Sequence, residues 1–475
     1  MAVSALVVAA VVGVASTLSV CFAAAAATTV LAMGRTGKPL STPPNSIEYV
    51  AQFTRAAVDG YVSPSSTAKS PTGIPVGPYN GVAVITPERS TSISESIAEG
   101  VLALHGCITS TVCGYNENIG SVAPSPSDTF VVFGYSQSAE IAMTEKRNLA
   151  AQFAAGEGPN ISFVVVGDPT RPNGGLSVRD PAGIVTFLLT GQRTEQTPVP
   201  SPTDTQYSTV DTALQYDGIA DEPLNPLNLL ADLNAYVGMV LLHPTYANRS
   251  LNEPGVIDQG KYGDTSYYLI STPVLPLLVP LQQVPIVGPV LADVLDAPLR
   301  VLVEAGYNRS ISPGKPTAFD PLYMPNPVAL AVNLLVAIPT GLDNGLQDMF
   351  GVRPFGTQRP GPYGVGGPAA VYLNDGDAAG AVSPDTSSPA ATSQSTSRAA
   401  ARRVSRGVGD PAPQGDSDAA SPQAKDVPRR ADGGSTAGVS SHRPLSRSAT
   451  ADSAKTPGHS ADRSSAARRA ARSSH

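Results

Sequence analysis

The chain contains no tryptophan, and aromatic residues of any kind stop at Tyr372. From Ala381 onward Ser, Ala, Pro, Gly and Arg dominate. Such a composition buries too little apolar surface to offset the entropy of ordering it, so residues 381–475 are expected to be disordered, after a linker at 357–380. Cysteine is scarce too, at three residues. With no second Cys pair and a single histidine nearby, Cys107 and Cys113 in "HGCITSTVCGYN" do not suit a metal site, and a small disulfide loop is the alternative. No metal or organic cofactor is indicated. Charge is missing from the first 34 residues, Arg35 being the first. It is unevenly spread thereafter. The tail holds 14 of the 31 basic and 8 of the 38 acidic residues, a net of +6, which leaves the body at −13. A body so acidic, without a basic patch, makes nucleic acid a poor candidate partner. The basic tail suits either contact with an anionic polymer or lipid, or simple solubilisation.

What the chain does have begins with "ALVVAAVVGVASTLSVCFAAAAA", Ala5–Ala27, apolar for about the length a helix needs to cross a bilayer. Its Ala-rich end suits signal-peptidase cleavage, while the missing basic start argues for a retained anchor. Residues 1–27 are therefore expected to be a signal peptide or a membrane anchor. Either way the protein is exported, as a secreted or envelope-anchored species.

The body, residues 28–356, alternates short β-rich runs with amphipathic stretches. Strands are expected at "TTVLAM" (28–33), "GVAVITP" (81–87), "DTFVVFGYS", "ISFVVVGDP" (161–169), within "YSTVDTALQYDGIADEP", and at "TSYYLIST" (265–272). Helical spacing marks residues 92–106 and the stretch after Ser136. Fully apolar strands with helices between them indicate a mostly parallel sheet covered on both faces, with its site at the carboxyl ends of the strands. The Leu/Val/Pro-rich stretch from Pro273 to Leu346 is either a helical cap over that site or extra core.

The chemistry concentrates in "FVVFGYSQSAEIA". Gly134-Tyr135-Ser136-Gln137-Ser138 fits the nucleophile elbow G-x-S-x-G except for its last residue. A nucleophile on a strained strand-to-helix turn brings two backbones together, so its neighbours two before and two after must be small, which Ser138 nearly satisfies. The plainer alternative makes Ser136 a helix cap. Histidines decide between them, because an alkyl alcohol needs a base. Of five, His442, His459 and His475 lie in the tail, and His105 precedes the serine, against the order Ser, acid, His. His243 remains. The acid is expected at Asp217, where a strand stops, with Asp221 next and Asp168 third. The Gln137 amide is a candidate oxyanion donor.

These motifs, together with "GRTG", "GDPTRPNGG", "NLLADLNAYVGMVLLHPTY" and "PLRVLVEAGY", resemble the PE-PPE domain of mycobacteria, itself similar to cutinases and lipases. The resemblance runs roughly from Thr28 to Gly356. It implies an α/β-hydrolase fold and activity on acyl esters or lipids, with Ser136 as nucleophile, His243 as base, an acid from "YDGIADEP" and a second oxyanion amide at Arg35. Three features depart from that pattern. Arg35 stands where a second Gly is common, Asp168 where Asn is expected, and an apolar segment where a PE or PPE region would precede. The last resembles membrane-anchored acyltransferases that build trehalose-type lipids. Transfer to a sugar hydroxyl therefore competes with hydrolysis, and a non-catalytic envelope protein is the third reading.

Overall fold

The computed structural model describes residues 28–110, 112–184 and 199–374. The apolar start and the basic tail lie outside those residues. Seven strands form one sheet: β1 (Thr28–Ala32), β2 (Tyr79–Ala83), β3 (Phe130–Tyr135), β4 (Ile161–Val166), β5 (Thr209–Leu214), β6 (Val256–Tyr262) and β7 (Thr265–Ile270). Their spatial order is β2-β1-β3-β4-β5-β7-β6, and only β6 runs antiparallel.

Every residue of β3 and β4 is buried, which explains why these strands read as unbroken apolar runs rather than alternating ones. Alternation still sorts the side chains. Val131, Phe133 and Tyr135 join Val30 and Val164 on one face, under Val50, Phe53 and Ala57 of α1 (Ile47–Ala57). Phe130, Val132, Phe163 and Val165 face the other way, under α2 (Ile93–Thr109) and α3 (Gln137–Gln152). At about 25 cal/mol per Å² of apolar surface, these two inner layers are the main source of stability. The fold is thus α/β, a mostly parallel sheet with helices on both faces, of the α/β-hydrolase kind.

Two expectations shift against this frame. The second strand ends at Ala83, not Pro87. An unforeseen strand, β6, closes the sheet; its second half, from Asp258 to Tyr262, is polar and largely exposed, so no apolar period announces it. The residues from 357 that read as linker are in part sheet edge. Ile257 bridges Tyr372, Asp258 N donates to Val371 O at 2.7 Å, and Leu373 N donates to Val256 O at 2.9 Å.

After β5 comes α4 (Leu229–Leu241), started by the Asn228 side chain, which accepts from Ala231 N. The Leu/Val/Pro-rich stretch supplies α5 (Val287–Glu304) and α6 (Pro327–Phe350). It is both core and surface. Ala292, Ala297, Val301 and Val303 are buried, whereas Ile286, Val287 and Leu335 are exposed. By length and composition α6 could span a bilayer, yet Thr340–Gly345 at its centre is mostly buried against the protein. Cys107 and Cys113 form a disulfide at the end of α2.

Candidate active site

Ser136 occupies the bend between β3 and α3 with φ 60° and ψ −120°, a backbone state that costs a non-glycine residue about 1–3 kcal/mol. The bend is held from three sides. Ser136 N donates to Val166 O at 3.0 Å, and Ala139 N donates back to Ser136 O at 2.9 Å. A Cβ on Gly134 would lie 2.5 Å from Ser138 O, so no other residue fits there. Ser138, where the motif calls for glycine, is fully buried. Its hydroxyl accepts from Tyr135 N at 2.8 Å and lies 3.3 Å from Met33 O, so it ties the turn to β1. The substitution strengthens the elbow.

The structure brings three of the candidate residues together. Ser136 Oγ is 2.9 Å from His243 Nε2, and His243 Nδ1 is 2.8 Å from Asp217 Oδ2. Because a carboxylate only accepts, Nδ1 carries the imidazole proton, and Nε2 is left as acceptor for the serine hydroxyl. Asp217 is fully buried, and its oxygens also accept from Ile219 N at 3.0 Å and the Tyr246 hydroxyl at 2.8 Å. Burial of that carboxyl is therefore matched by three donors. The His243 side chain keeps 12% exposure, enough for a substrate to reach it.

Placement of the histidine depends on residues that the sequence did not single out. His243 opens a short 3-10 turn, His243–Asn248, directly after α4. Tyr246 lies three residues on, its ring centroid 5.8 Å from the imidazole, and its hydroxyl accepts from Leu214 N while donating to Asp217. The Tyr135 ring lies tilted against the imidazole at 5.6 Å and its hydroxyl donates to His243 O. Burial pushes both tyrosine hydroxyls well up, so both stay protonated donors. At the end of β4, Gly167 has φ +58°, and a Cβ there would lie 2.9 Å from Tyr246 and 3.0 Å from His243. The spacing "HPTY" and the glycine in "VVVGDP" were the available signals.

The other acid candidates lie elsewhere. Asp221 accepts from Tyr216 N and forms an ion pair with Arg309 at 2.7 Å, bracing the turn that carries Asp217. Asp168 is buried and accepts from Thr170 and from Ser201 at 2.6 Å, so it organises its own loop. His105 pairs with Glu145 at 2.7 Å, between α2 and α3. Arg35 and Gln137 follow adjacent parallel strands, β1 and β3, whose carboxyl ends lie side by side. Gln137 N is the first amide of α3, where no preceding turn offers an acceptor. The Gln137 side chain reaches Thr36 Oγ1 at 3.4 Å, linking the two flanks. Among the described residues no group of three or more His, Cys, Asp or Glu is placed to hold a metal.

A serine on a positive-φ bend, a histidine and a buried aspartate at the carboxyl ends of parallel strands form the arrangement characteristic of α/β-hydrolases. The chain belongs to the PE-PPE domain family, which matches residues 72–308. It is similar to PE family protein PE3 of Mycobacterium tuberculosis, 33% identical over 67% of this chain and 62% of the relative. It is also similar to Esterase PE16 of the same organism, 32% identical over 67% of this chain and 58% of that protein. SL1278 acyltransferase Chp1, also from M. tuberculosis, is 26% identical over 45% of this chain and 51% of its own length. The chain thus spans about half to three-fifths of the length of these relatives.

Proposed function

We propose that this protein is a serine esterase acting on acyl esters through a covalent acyl-enzyme. The observation that carries the reading is the unbroken series of contacts Ser136 Oγ, His243 Nε2, His243 Nδ1 and Asp217 Oδ2, at 2.9 and 2.8 Å, on a backbone bend that serves no purpose for a mere helix cap. Ser136 makes no side-chain cap to α3, which supports this reading over the plainer alternative.

In the first step the Ser136 oxygen bonds to the ester carbonyl carbon as its proton passes to His243 Nε2. Asp217 and its tyrosine partner stabilise the imidazolium and hold its orientation. The carbonyl oxygen becomes an oxyanion facing the amides of Gln137 and Arg35, each such donor contributing about 3–4 kcal/mol. The C–O bond to the alcohol breaks, and the alkoxide leaves with the proton from Nε2. Water, deprotonated by the same nitrogen, then attacks the acyl-enzyme and frees the acid and Ser136.

A hydroxyl acceptor in place of water gives the second reading, acyl transfer to a trehalose-type glycolipid. The relative named as an acyltransferase favours it, as does the apolar surface around the site. On α4, Leu229, Leu233, Tyr236 and Val240 recur at helical spacing, all exposed, on the helix that ends at His243. Val284, Ile286, Val287 and Leu291 add a second exposed apolar stretch. Such a surface suits a long acyl chain or an envelope lipid, in keeping with an exported protein, and the disulfide fits an oxidising compartment.

Hydrolysis of a short-chain p-nitrophenyl ester by wild type and by Ser136→Ala tests the proposal. The variant is expected to lose at least about a thousandfold in kcat; equal rates reject the enzyme. Product analysis with a trehalose-lipid acceptor present then separates ester transfer from release of free acid.

A further inference from the structure

A buried carboxyl beside the candidate site plays no part in the mechanism above. Glu88 lies in the loop after β2, is 1% exposed, and has φ +40°, a conformation unusual for glutamate. Its main-chain carbonyl accepts from Gly37 N at 2.6 Å. Its carboxyl accepts, through Oε1, from the Thr86 hydroxyl and lies close enough to the Gly34 amide to be drawn down by it, while Oε2 is buried without a hydrogen-bond partner. The turn Gly34–Gly37 is therefore fastened to this residue at Gly37 and borders its carboxyl at Gly34, with Arg35 and Thr36 between. The next residue fastens the opposite flank. Arg89 O accepts from Gln137 Nε2 at 2.9 Å, and Ser96 Oγ accepts from Arg89 N at 3.0 Å while donating to Gln137 Oε1 at 2.8 Å.

We infer that Glu88 is a positioning residue for the oxyanion side of the site, setting where the Arg35 amide points relative to Ser136. The inference rests on the serine-esterase reading. A loop meant only to fill space needs no buried carboxyl; an apolar side chain would cost less.

Charge makes the role observable. Burial pushes the Glu88 carboxyl up to about 8, against the opposing pull of the Thr86 hydroxyl and the nearby Gly34 amide. The ionisable group that faces it is Tyr49 on α1, which senses both Glu88 and Arg35 of the turn and lies under Lys38 at 5.6 Å. The Arg89 guanidinium turns outward to Glu99. Below pH 8 the carboxyl is neutral. Above it, an anion borders the turn that carries Arg35, and kcat is expected to fall.

The test measures kcat and KM on p-nitrophenyl butyrate from pH 6 to 10, with fluorophosphonate labelling to count competent Ser136. Wild type is expected to lose activity above about pH 8. Glu88→Gln keeps a neutral acceptor for Gly34 and should retain kcat within about threefold at pH 7 while losing the alkaline decline. Glu88→Ala should lower kcat by about tenfold to a hundredfold at every pH, with KM little changed and labelled protein still folded. If labelled, active wild type and both variants share one kcat and one pH profile, Glu88 has no such role, and the esterase reading stands. If wild type is inactive and Ser136 unlabelled, the esterase reading falls and takes this assignment with it.

Discussion

Single residues decide whether the imidazole faces the serine. Tyr246 fills three roles: its ring packs against His243, its hydroxyl donates to Asp217, and the same oxygen accepts from Leu214 N. Tyr246→Phe keeps the ring and removes both hydrogen bonds. It leaves a buried amide unsatisfied, so a stability loss of about 1–3 kcal/mol is expected in urea unfolding. A kcat loss of about tenfold should accompany it, with KM unchanged. At this scale the serine and histidine were legible, since an elbow and a count of histidines single out Ser136 and His243. The carboxylate that meets His243 was legible only as a short set. Asp217 and Asp221 stand four residues apart in one turn, and what separates them is Arg309, which claims Asp221 from 88 positions away. A contact of that separation leaves no local pattern. Tyr246, Gly167 and Glu88 went unread for the same reason, as each acts through a neighbour that is remote in the chain.

Among elements, the buried parallel strands were the easiest to read and the edge the hardest. β3 and β4 are apolar at every position because both faces are covered. β6 pairs with one strand of the sheet, β7, and has a solvent-facing half, so its sequence "VIDQGKY" carries neither a run nor a clean alternation. Helix α2 is fastened at its carboxyl end by Cys107–Cys113, six residues apart. Closing so short a loop contributes about 2 kcal/mol in the chain-entropy picture. The Cys107→Ser, Cys113→Ser double variant should therefore melt several degrees lower. Its ester turnover at 25 °C should match wild type, since the disulfide closes the carboxyl end of α2, about three turns from Ser96, the residue of that helix that bonds Gln137. A loss of turnover equal to that of Tyr246→Phe would contradict this separation.

For the whole molecule, the linker expected from residue 357 includes residues that the structure packs against the sheet. Residues 371–373 look like linker because Gly and Pro surround them, yet they bond to β6. Two truncations test where the folded unit stops. A chain ended after Asn374 should melt as the full-length protein does, whereas one ended after Gly356 loses buried Tyr363 and Leu373 and should melt at least about 4 °C lower. Equal melting temperatures for the two would return these residues to the linker. An uncovered outer strand is a template on which identical chains can stack into fibres. By laying Val371–Leu373 along β6, the polypeptide occupies that template itself, and crowding on a greasy surface finds one fewer seam at which copies can zip together.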